Sequence, residues 1–268
     1  VQYLAVITGI TTIANAIIQR MISFKYGMGM TLKLNFTSAE YRQMLIIYMP
    51  TIFSAGLYQV NLLMDSLLSS KTGTGNVTIL TYANSIIGMI NSLIITNLLI
   101  YLYPKISVAI NEDLQKAKRK LFTSVSLLSF FVCVMMVGFF SLGKVFLQLL
   151  MLHGKFNSHS LTLLYICTCL YVLGLPFNVI RDMVYRFFYA AGDTQSTFVN
   201  SVIASLINLV TSIVLASLIG MYGVILGTLI SSMVSMLMIL HKYQLKVGYG
   251  ETREKYIKEF TWLFAPMV

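Results

Sequence analysis

Residues 161–191 read LTLLYICTCLYVLGLPFNVIRDMVYRFFYAA, an apolar run of 31 residues that carries polar and charged side chains in its second half. About 20 apolar residues are enough to cross a bilayer as a helix, so this run predicts a membrane span. Within it lie Asn178, Arg181 and Asp182. Ionisable groups at membrane depth are costly, and they usually face a cavity or a partner. The stretch therefore predicts a helical membrane protein with a transport or binding site.

The composition extends this prediction to the whole chain. It is 57% hydrophobic and 10% charged, with a mean hydropathy of +0.79, whereas soluble domains carry about 25% charged residues. We predict an all-α polytopic protein with about seven spans and the start of an eighth near Phe260. The seven predicted spans are 2–19, 44–67, 77–103 (which Pro104 is expected to end), 121–143, 160–190, 195–219 and 221–240. Because the chain begins with Val1 and enters its first span at once, we interpret it as a fragment.

The net charge of +10 follows a pattern along the chain. Sixteen of the 19 lysine and arginine residues lie after the first, third and seventh spans or in the second half of the fifth. An excess of basic residues marks the cytoplasmic side of a membrane protein, so these loops are predicted to be cytoplasmic. Topology and contact with anionic lipids account for the charge, and no nucleic-acid partner is predicted.

Asp65, Asn178 and Asp182 are the candidate cation ligands. Asn178 and Asp182 are four residues apart and share a helix face, and Asp65 lies in the second span. Carboxylate and amide oxygens can replace the water around a cation, so the set is a candidate site for a monovalent cation or a coupling proton. The competing interpretation is that Asp182 pairs with Arg181 or Arg186 and that Asp65 lies near the outer water. The residues alone leave both open.

Other chemistry finds little support in the sequence. Arg181 could bind a phosphate through two hydrogen bonds, or its side chain could extend to the lipid headgroups of the inner leaflet. For Arg186, extension to the headgroups is favoured. The three cysteines, Cys133, Cys167 and Cys169, have no metal-ligand or disulfide spacing. No nucleophile elbow, phosphate-binding loop or metalloprotease motif occurs. We therefore predict no enzyme activity, no cofactor and no metal beyond a monovalent cation.

Several segments together resemble one transporter family. Residues 50–65, PTIFSAGLYQVNLLMD, and 75–84, GNVTILTYAN, are similar to the seventh and eighth helices of MviN/MurJ-type lipid II flippases. Residues 103–107, YPKIS, are similar to the end of that eighth helix. Residues 186–197, RFFYAAGDTQST, resemble the family pattern Phe-Tyr-Ala-x-x-Asp-Thr-x-Thr-Pro.

The resemblance implies the fourteen-helix, two-lobe fold of multidrug, oligosaccharidyl-lipid and polysaccharide exporters, in the bacterial cytoplasmic membrane. The chain would span about the sixth to the twelfth helix, with residues 1–43 as the last N-terminal-lobe helix and linker, and 44–268 as a truncated C-terminal lobe. A sodium site that some members share between their seventh and eleventh helices would fall on the candidate cation ligands named above. The expected substrate-cavity residues are Gln59, Asn61, Asn84, Ser85 and Arg181.

The resemblance implies a flippase that moves an undecaprenyl-pyrophosphate-linked saccharide, lipid II or a related precursor, for peptidoglycan or polysaccharide synthesis. Alternating access without covalent chemistry is the expected mechanism. One departure keeps related carriers open: Ser85 stands where the family often has a cavity arginine. The alternatives are a cation-coupled drug antiporter of the same fold, whose cavity would expose carboxylates, and a membrane scaffold that transports nothing. The sequence predicts no oligomeric state.

Overall fold

The computed structural model describes residues 2–27, 38–151 and 157–248. All regular structure in these residues is helical, so the predicted all-α class is confirmed. The helices are α1 (Gln2–Lys25), α2 (Ala39–Thr72), α3 (Asn76–Ile90), a π-helical turn (Asn91–Ile95), α4 (Thr96–Glu112), α5 (Leu114–Met151), α6 (Ser158–Ala190), α7 (Thr194–Ile219) and α8 (Met221–Lys246). The start of the eighth predicted span, near Phe260, lies outside the described residues.

Within the described residues, six segments are long and apolar enough to cross a membrane, and they correspond to the second to seventh predicted spans. They are Met44–Thr72, Asn76–Glu112, Leu114–Met151, Ser158–Ala190, Thr194–Ile219 and Met221–Lys246. The first predicted span, 2–19, falls within α1, which is helical but does not belong to these six.

The chain divides within α2 into two compact units, residues 1–46 and 47–268. The first unit contains α1 and the start of α2, and the second contains the other helices. The assignment of 1–43 and 44–268 to two lobes of one exporter stays a prediction. All contacts described below lie within the second unit.

Pro104 does not end its helix, and this prediction was wrong. The helix α4 continues through Pro104 to Glu112 and joins α3 through the π-helical turn. A proline inside a membrane helix is tolerated because neighbouring groups and small local adjustments re-satisfy the freed carbonyl.

The central helix of the second unit is α6, which packs against α3, α4, α5 and α8. Its buried positions recur along its whole length, from Leu161 to Phe188. Near its end, the Phe187 ring meets Tyr243 of α8 edge-on, with 5.2 Å between the ring centroids. Such close packing replaces the hydrophobic effect as the force that holds helices together in lipid.

The helices α7 and α8 form a tight hairpin. Gly220 makes the turn with a φ of 64°, and the backbones then approach so closely that a Cβ added at Gly227 would lie 2.7 Å from the Ser212 nitrogen. Polar pairs follow one another along the contact: Asn200 with Ser235, Ser231 with the Ala204 carbonyl, Asn208 with Thr228, and Ser212 with the Val224 carbonyl. Small residues and interhelical hydrogen bonds of this kind stabilise helix pairs in membranes.

Three of the predicted basic segments, those near the start of α5, the start of α7 and the end of α8, meet at one end of the second unit. Lys118, near the start of α5, is only 5% exposed and donates a hydrogen bond of 2.7 Å to the Val247 carbonyl at the end of α8. Lys246 pairs at 2.6 Å with Asp193, which precedes α7. Within the second unit, the contacts described here therefore place the segments predicted to be cytoplasmic on one side, as a single membrane orientation requires.

Candidate functional site

A polar cavity of about 510 Å³ lies among α2, α3, the π-helical turn, α4, α6, α7 and α8. Its volume is within the range of about 300 to 1,000 Å³ that is usual for ligand pockets. Of the 23 lining residues, fifteen are asparagine, serine, threonine or tyrosine, and three are charged: Asp65, Arg181 and Asp182. A hydrogen-bonding cavity that is lined mainly by uncharged polar side chains therefore lies among apolar membrane helices.

One stripe of α2 forms part of this wall. Tyr58, Asn61 and Asp65 follow at three- and four-residue spacing and line the cavity. Gln59, a predicted cavity residue, is exposed and does not line it. A helix advances about 100° per residue, so Gln59 points well to one side of the stripe that contains Tyr58.

The same geometry places Ser85, another predicted cavity residue, outside this cavity. Asn84, Ile87 and Asn91 line the cavity from α3 and the start of the π-helical turn. Ser85 is rotated away by about 100°, and its hydroxyl donates to the Thr81 carbonyl at 2.8 Å. Asn61, Asn84 and Arg181 are the predicted substrate-cavity residues that the structure places in the wall.

Asp65 is 5% exposed and faces α7 and α8. The Thr228 hydroxyl lies 3.3 Å from its Oδ2 and accepts a hydrogen bond of 3.0 Å from the Asn208 amide. The Ser212 hydroxyl is also near the carboxylate. Asp65 Oδ1 is buried and has no hydrogen-bond partner among the described residues. An acceptor left unpaired in a buried site is expensive, so this oxygen is positioned for a ligand or a proton.

Asp182 has a different partner. Its Oδ1 accepts hydrogen bonds from Arg181 Nε at 2.9 Å and Nη2 at 2.8 Å, and the guanidinium also lies 5.7 Å from the centre of the Tyr185 ring. This is the ion pair that the sequence left open as the competing interpretation. Asn178, one turn earlier, lines the same cavity. The three candidate cation ligands thus share one cavity, but Asp65 makes its hydrogen bond to α8.

The observed helix order also changes which helix would carry the expected sodium ligands. If α1 is the sixth helix of the family fold, as the resemblance implies, α3 and α4 together make the eighth, α6 is the tenth and α7 is the eleventh. The eleventh-helix ligands would then lie on α7 and not at Asn178 and Asp182 of α6. The residues of α7 near Asp65 are Asn208 and Ser212, which sequence reasoning did not select. Their signal was present: two polar residues four apart on an apolar helix share one face.

The ligand types near Asp65 fit a monovalent cation rather than a transition metal. The described residues contain no group of three or more histidine, cysteine or acidic side chains that could hold a metal ion. Asp65 offers an unpaired carboxylate oxygen, with the oxygens of Thr228, Ser212 and the Val224 carbonyl in the same region. Hard oxygen ligands around a single negative charge are what Na⁺ requires, and a lone buried carboxylate can equally carry a proton.

A second network connects the cavity wall with the α7–α8 contact. The Asn200 amide donates to the Tyr185 hydroxyl at 2.8 Å and to the Ser235 hydroxyl at 2.9 Å. Tyr185 and Ser201, whose hydroxyls are 3.2 Å apart, both line the cavity. The wall of α6 is thereby joined to both helices of the hairpin.

Asp193 lies between two membrane spans, directly before α7, and stabilises the start of that helix. Its Oδ1 accepts from the Ser196 backbone nitrogen at 3.0 Å, which is a helix N-cap. Partial burial opposes ionisation of this carboxyl, but hydrogen bonds from Lys246 and Ser196 outweigh burial and hold its pKa below the usual value. Asp193 therefore remains ionised and joins α7 to the end of α8.

Comparisons with known proteins agree on one family. The family model described as lipid II flippase MurJ matches residues 1–263. The lipid II flippase MurJ of Thermosipho africanus is 31% identical over 111 residues, which cover 41% of this chain and 23% of that protein. A probable lipid II flippase MurJ of Vibrio cholerae is 23% identical over 212 residues, covering 78% of this chain and 40% of that protein. The chain spans about half the length of these relatives, and the matched segments cover less than half of each.

Solved structures show the same fold. A lipid II flippase MurJ in an inward closed conformation superposes with a TM-score of 0.69 at 24% identity, covering 87% of this chain and 50% of that one. An outward-facing multidrug resistance transporter of the MATE family, in the MOP superfamily, gives a TM-score of 0.65 at 17% identity, covering 80% and 49% of the two chains. At these identities, the likeness concerns the fold.

Proposed function

This chain belongs to the MurJ family of lipid II flippases, and on that premise we propose that it is part of a flippase for undecaprenyl-pyrophosphate-linked saccharides. The transporter would carry lipid II or a related precursor from the inner to the outer leaflet of the bacterial cytoplasmic membrane, for cell-wall or polysaccharide synthesis. The observation that carries the proposal is the polar cavity of about 510 Å³ among helices that are apolar enough to span a membrane. A lipid carrier can keep its tail in the bilayer while such a cavity replaces water around the headgroup.

The mechanism we propose is alternating access, in which the cavity opens first to one side of the membrane and then to the other. Asn61, Asn84 and Arg181 would contact the headgroup from the cavity wall. No bond is made or broken, and the protein acts as a transporter rather than an enzyme. The close contact of α7 and α8 favours their movement as one piece, because interlocked helices slide or rotate together more readily than they separate.

We also propose that Asp65 binds the coupling cation. A buried carboxylate without a counter-charge costs several kcal/mol, which a bound Na⁺ or H⁺ would offset. Thr228 would supply a further oxygen ligand, as would Ser212 and the Val224 carbonyl. The proposal keeps Asp65 from the sequence prediction and replaces Asn178 and Asp182, because Asp182 is already paired with Arg181. Those two α6 residues then face the headgroup instead.

A rescue experiment tests the flippase proposal. The natural protein, with any sequence that flanks these 268 residues in its gene, is expressed in bacteria depleted of their own lipid II flippase. We expect growth to be restored and labelled lipid II to become accessible on the outer leaflet. Well-expressed protein that restores neither would contradict lipid II transport. Drug resistance conferred by that same protein would favour an antiporter, and no transport of either kind would favour a scaffold.

A further inference from the structure

The cavity wall of this chain has the chemistry of a carbohydrate site rather than of a phosphate site. We infer that Asn61, Asn91 and Asn178, beside the Arg181–Asp182 pair, form a subsite for the uncharged, hydroxyl- and amide-bearing part of the headgroup, and that the pyrophosphate is held by groups outside this wall. The inference rests on the proposed flippase function and specifies which part of the substrate these residues recognise.

The amide groups are the first support. Asn61 on α2, Asn91 at the start of the π-helical turn and Asn178 on α6 all line the cavity and are half-buried. None of the three side chains has a hydrogen-bond partner among the described residues. Each amide offers both donors and an acceptor. Three such groups on three segments around one cavity match a ligand that also carries donors and acceptors in many directions, as a sugar with N-acetyl groups does.

The charges are the second support. Arg181 is the only basic residue among the described residues that line the cavity, and two of its nitrogens are engaged by Asp182 Oδ1. With Asp65 included, the acidic side chains in the wall outnumber the basic ones. A pyrophosphate brought to this wall would meet a guanidinium that is already neutralised by Asp182 and the further carboxylate of Asp65. Like charges disfavour that arrangement strongly in a desolvated cavity.

The ion pair itself suits sugar hydroxyls. Arg181 holds Asp182 through Oδ1, which leaves Oδ2 as a fixed acceptor, and the Asp182 side chain remains 40% exposed. The Arg181 guanidinium lies against the Tyr185 ring, so its orientation is also fixed. A carboxylate that is positioned but still accessible accepts hydrogen bonds from hydroxyl groups at little entropic cost. Tyr58, across on α2, adds an aromatic surface to the same cavity.

The departure noted in the sequence supports the same conclusion. Ser85 stands where the resemblance implies a cavity arginine, and the structure places it outside the wall. Among the described residues, no basic side chain other than the paired Arg181 lines the cavity to replace that guanidinium. The wall therefore favours the glycan over the pyrophosphate both by the hydrogen bonds that it offers and by its lack of an unpaired positive charge.

The test measures the binding of two lipids to the purified natural protein in nanodiscs. The first lipid is undecaprenyl pyrophosphate, and the second is the same lipid bearing an N-acetylated disaccharide. Asn61→Leu and Asn178→Leu remove amides from the wall, and Arg181→Gln removes the guanidinium. Gln59→Leu is the matched control, because it removes an amide from the same helix outside the cavity.

We expect Asn61→Leu and Asn178→Leu each to weaken binding of the glycosylated lipid about 3- to 10-fold, as the loss of a neutral hydrogen bond does. Binding of undecaprenyl pyrophosphate should stay within about twofold of wild type in these variants and in Arg181→Gln. Retained binding of the bare lipid also shows that each variant is folded. If a leucine variant does not fold, the alanine variant at the same position is held to the same criterion.

Two results would overturn the inference alone: equal losses for both lipids in the asparagine variants, or a loss of undecaprenyl pyrophosphate binding in Arg181→Gln. Glycosylated-lipid binding that is unchanged in Asn61→Leu and Asn178→Leu would do the same. If the wild-type protein binds neither lipid, the proposed function fails together with the inference. The two failures are therefore distinguishable.

Discussion

Gly223 sets the distance between α7 and α8, and replacing it with alanine tests how the hairpin is built. A Cβ at this position would lie 2.1 Å from the Leu215 carbonyl oxygen and 2.2 Å from its carbon, whereas ordinary contact begins at 3.4 Å. The obstacle is backbone, which cannot rotate away as a side chain can. The helices must therefore separate, and the neighbouring hydrogen bonds from Thr211 and Ser212, each 3.3 Å long, must lengthen or break.

The cost can be worked out from these contacts. Overpacking of a close interface costs about 1–3 kcal/mol, and two interhelical hydrogen bonds in a membrane protein contribute about 0.6 kcal/mol each. Alanine recovers about 1 kcal/mol over glycine through its helix propensity. The expected result for Gly223→Ala is a net loss of about 2 kcal/mol in unfolding free energy. Titration with sodium dodecyl sulfate in mixed micelles, followed by circular dichroism, measures it.

Gly138→Ala is the matched control. Gly138 lies within α5, and a Cβ added there meets nothing within 4 Å, so alanine should be neutral or slightly stabilising. A Gly223→Ala protein that unfolds at the same detergent fraction as Gly138→Ala would refute the close-contact argument. A loss confined to Gly223→Ala would show that glycine is required for the approach of the two backbones.

Two further predictions concern the carboxylates. Asp193→Ala should destabilise the protein by about 1–2 kcal/mol, because it removes the N-cap and the Lys246 pair, whereas Asp193→Asn keeps the cap and should lose less than 1 kcal/mol. Folding lowers the pKa of Asp193, so its contribution to the stability of the folded protein is complete above about pH 4 and is lost as the pH falls through the lower folded-state value. Thermal unfolding of the wild type should show this loss of stability, and thermal unfolding of Asp193→Ala should not. Asp65→Asn should abolish the rise in unfolding temperature that Na⁺, compared with choline at equal ionic strength, gives the wild type. A wild-type response to Na⁺ in Asp65→Asn would contradict the cation proposal.

The sequence predicted the spans well because hydropathy and length decide them. All but the last residue of the run 161–191 lies in α6, which begins at Ser158. The Asn157 side chain caps this helix by accepting a hydrogen bond from the Ser160 backbone nitrogen. The error at Pro104 has a local cause: proline costs one hydrogen bond, but the apolar surroundings favour a continuous helix even more strongly. The pattern of residues alone does not show which of these effects prevails.

The candidate site was predicted less completely, and for two different reasons. Gln59 was selected for its polarity, although the spacing of Tyr58, Asn61 and Asp65 already defined a stripe that excludes it, and Ser85 was selected because the family resemblance implies a cavity residue at that position. The partner of Asp65 is a different matter: Thr228 lies 163 positions along the chain. Such contacts depend on how helices pack, and one sequence contains no direct signal for that packing.

The arrangement of α7 and α8 connects the two halves of the proposed mechanism. Toward one end of the hairpin, Thr228 reaches Asp65; closer to the other, Asn200 reaches Tyr185, against which Arg181 lies. Because Gly223 and the polar pairs lock the two helices together, a cation that draws Thr228 toward Asp65 would move Asn200 in the same rigid piece. In the proposed transporter, the occupancy of Asp65 and the shape of the glycan-facing wall are therefore linked through one element. By reciprocity, a headgroup that favours one position of that wall must change the affinity of Asp65 for its cation by the same factor.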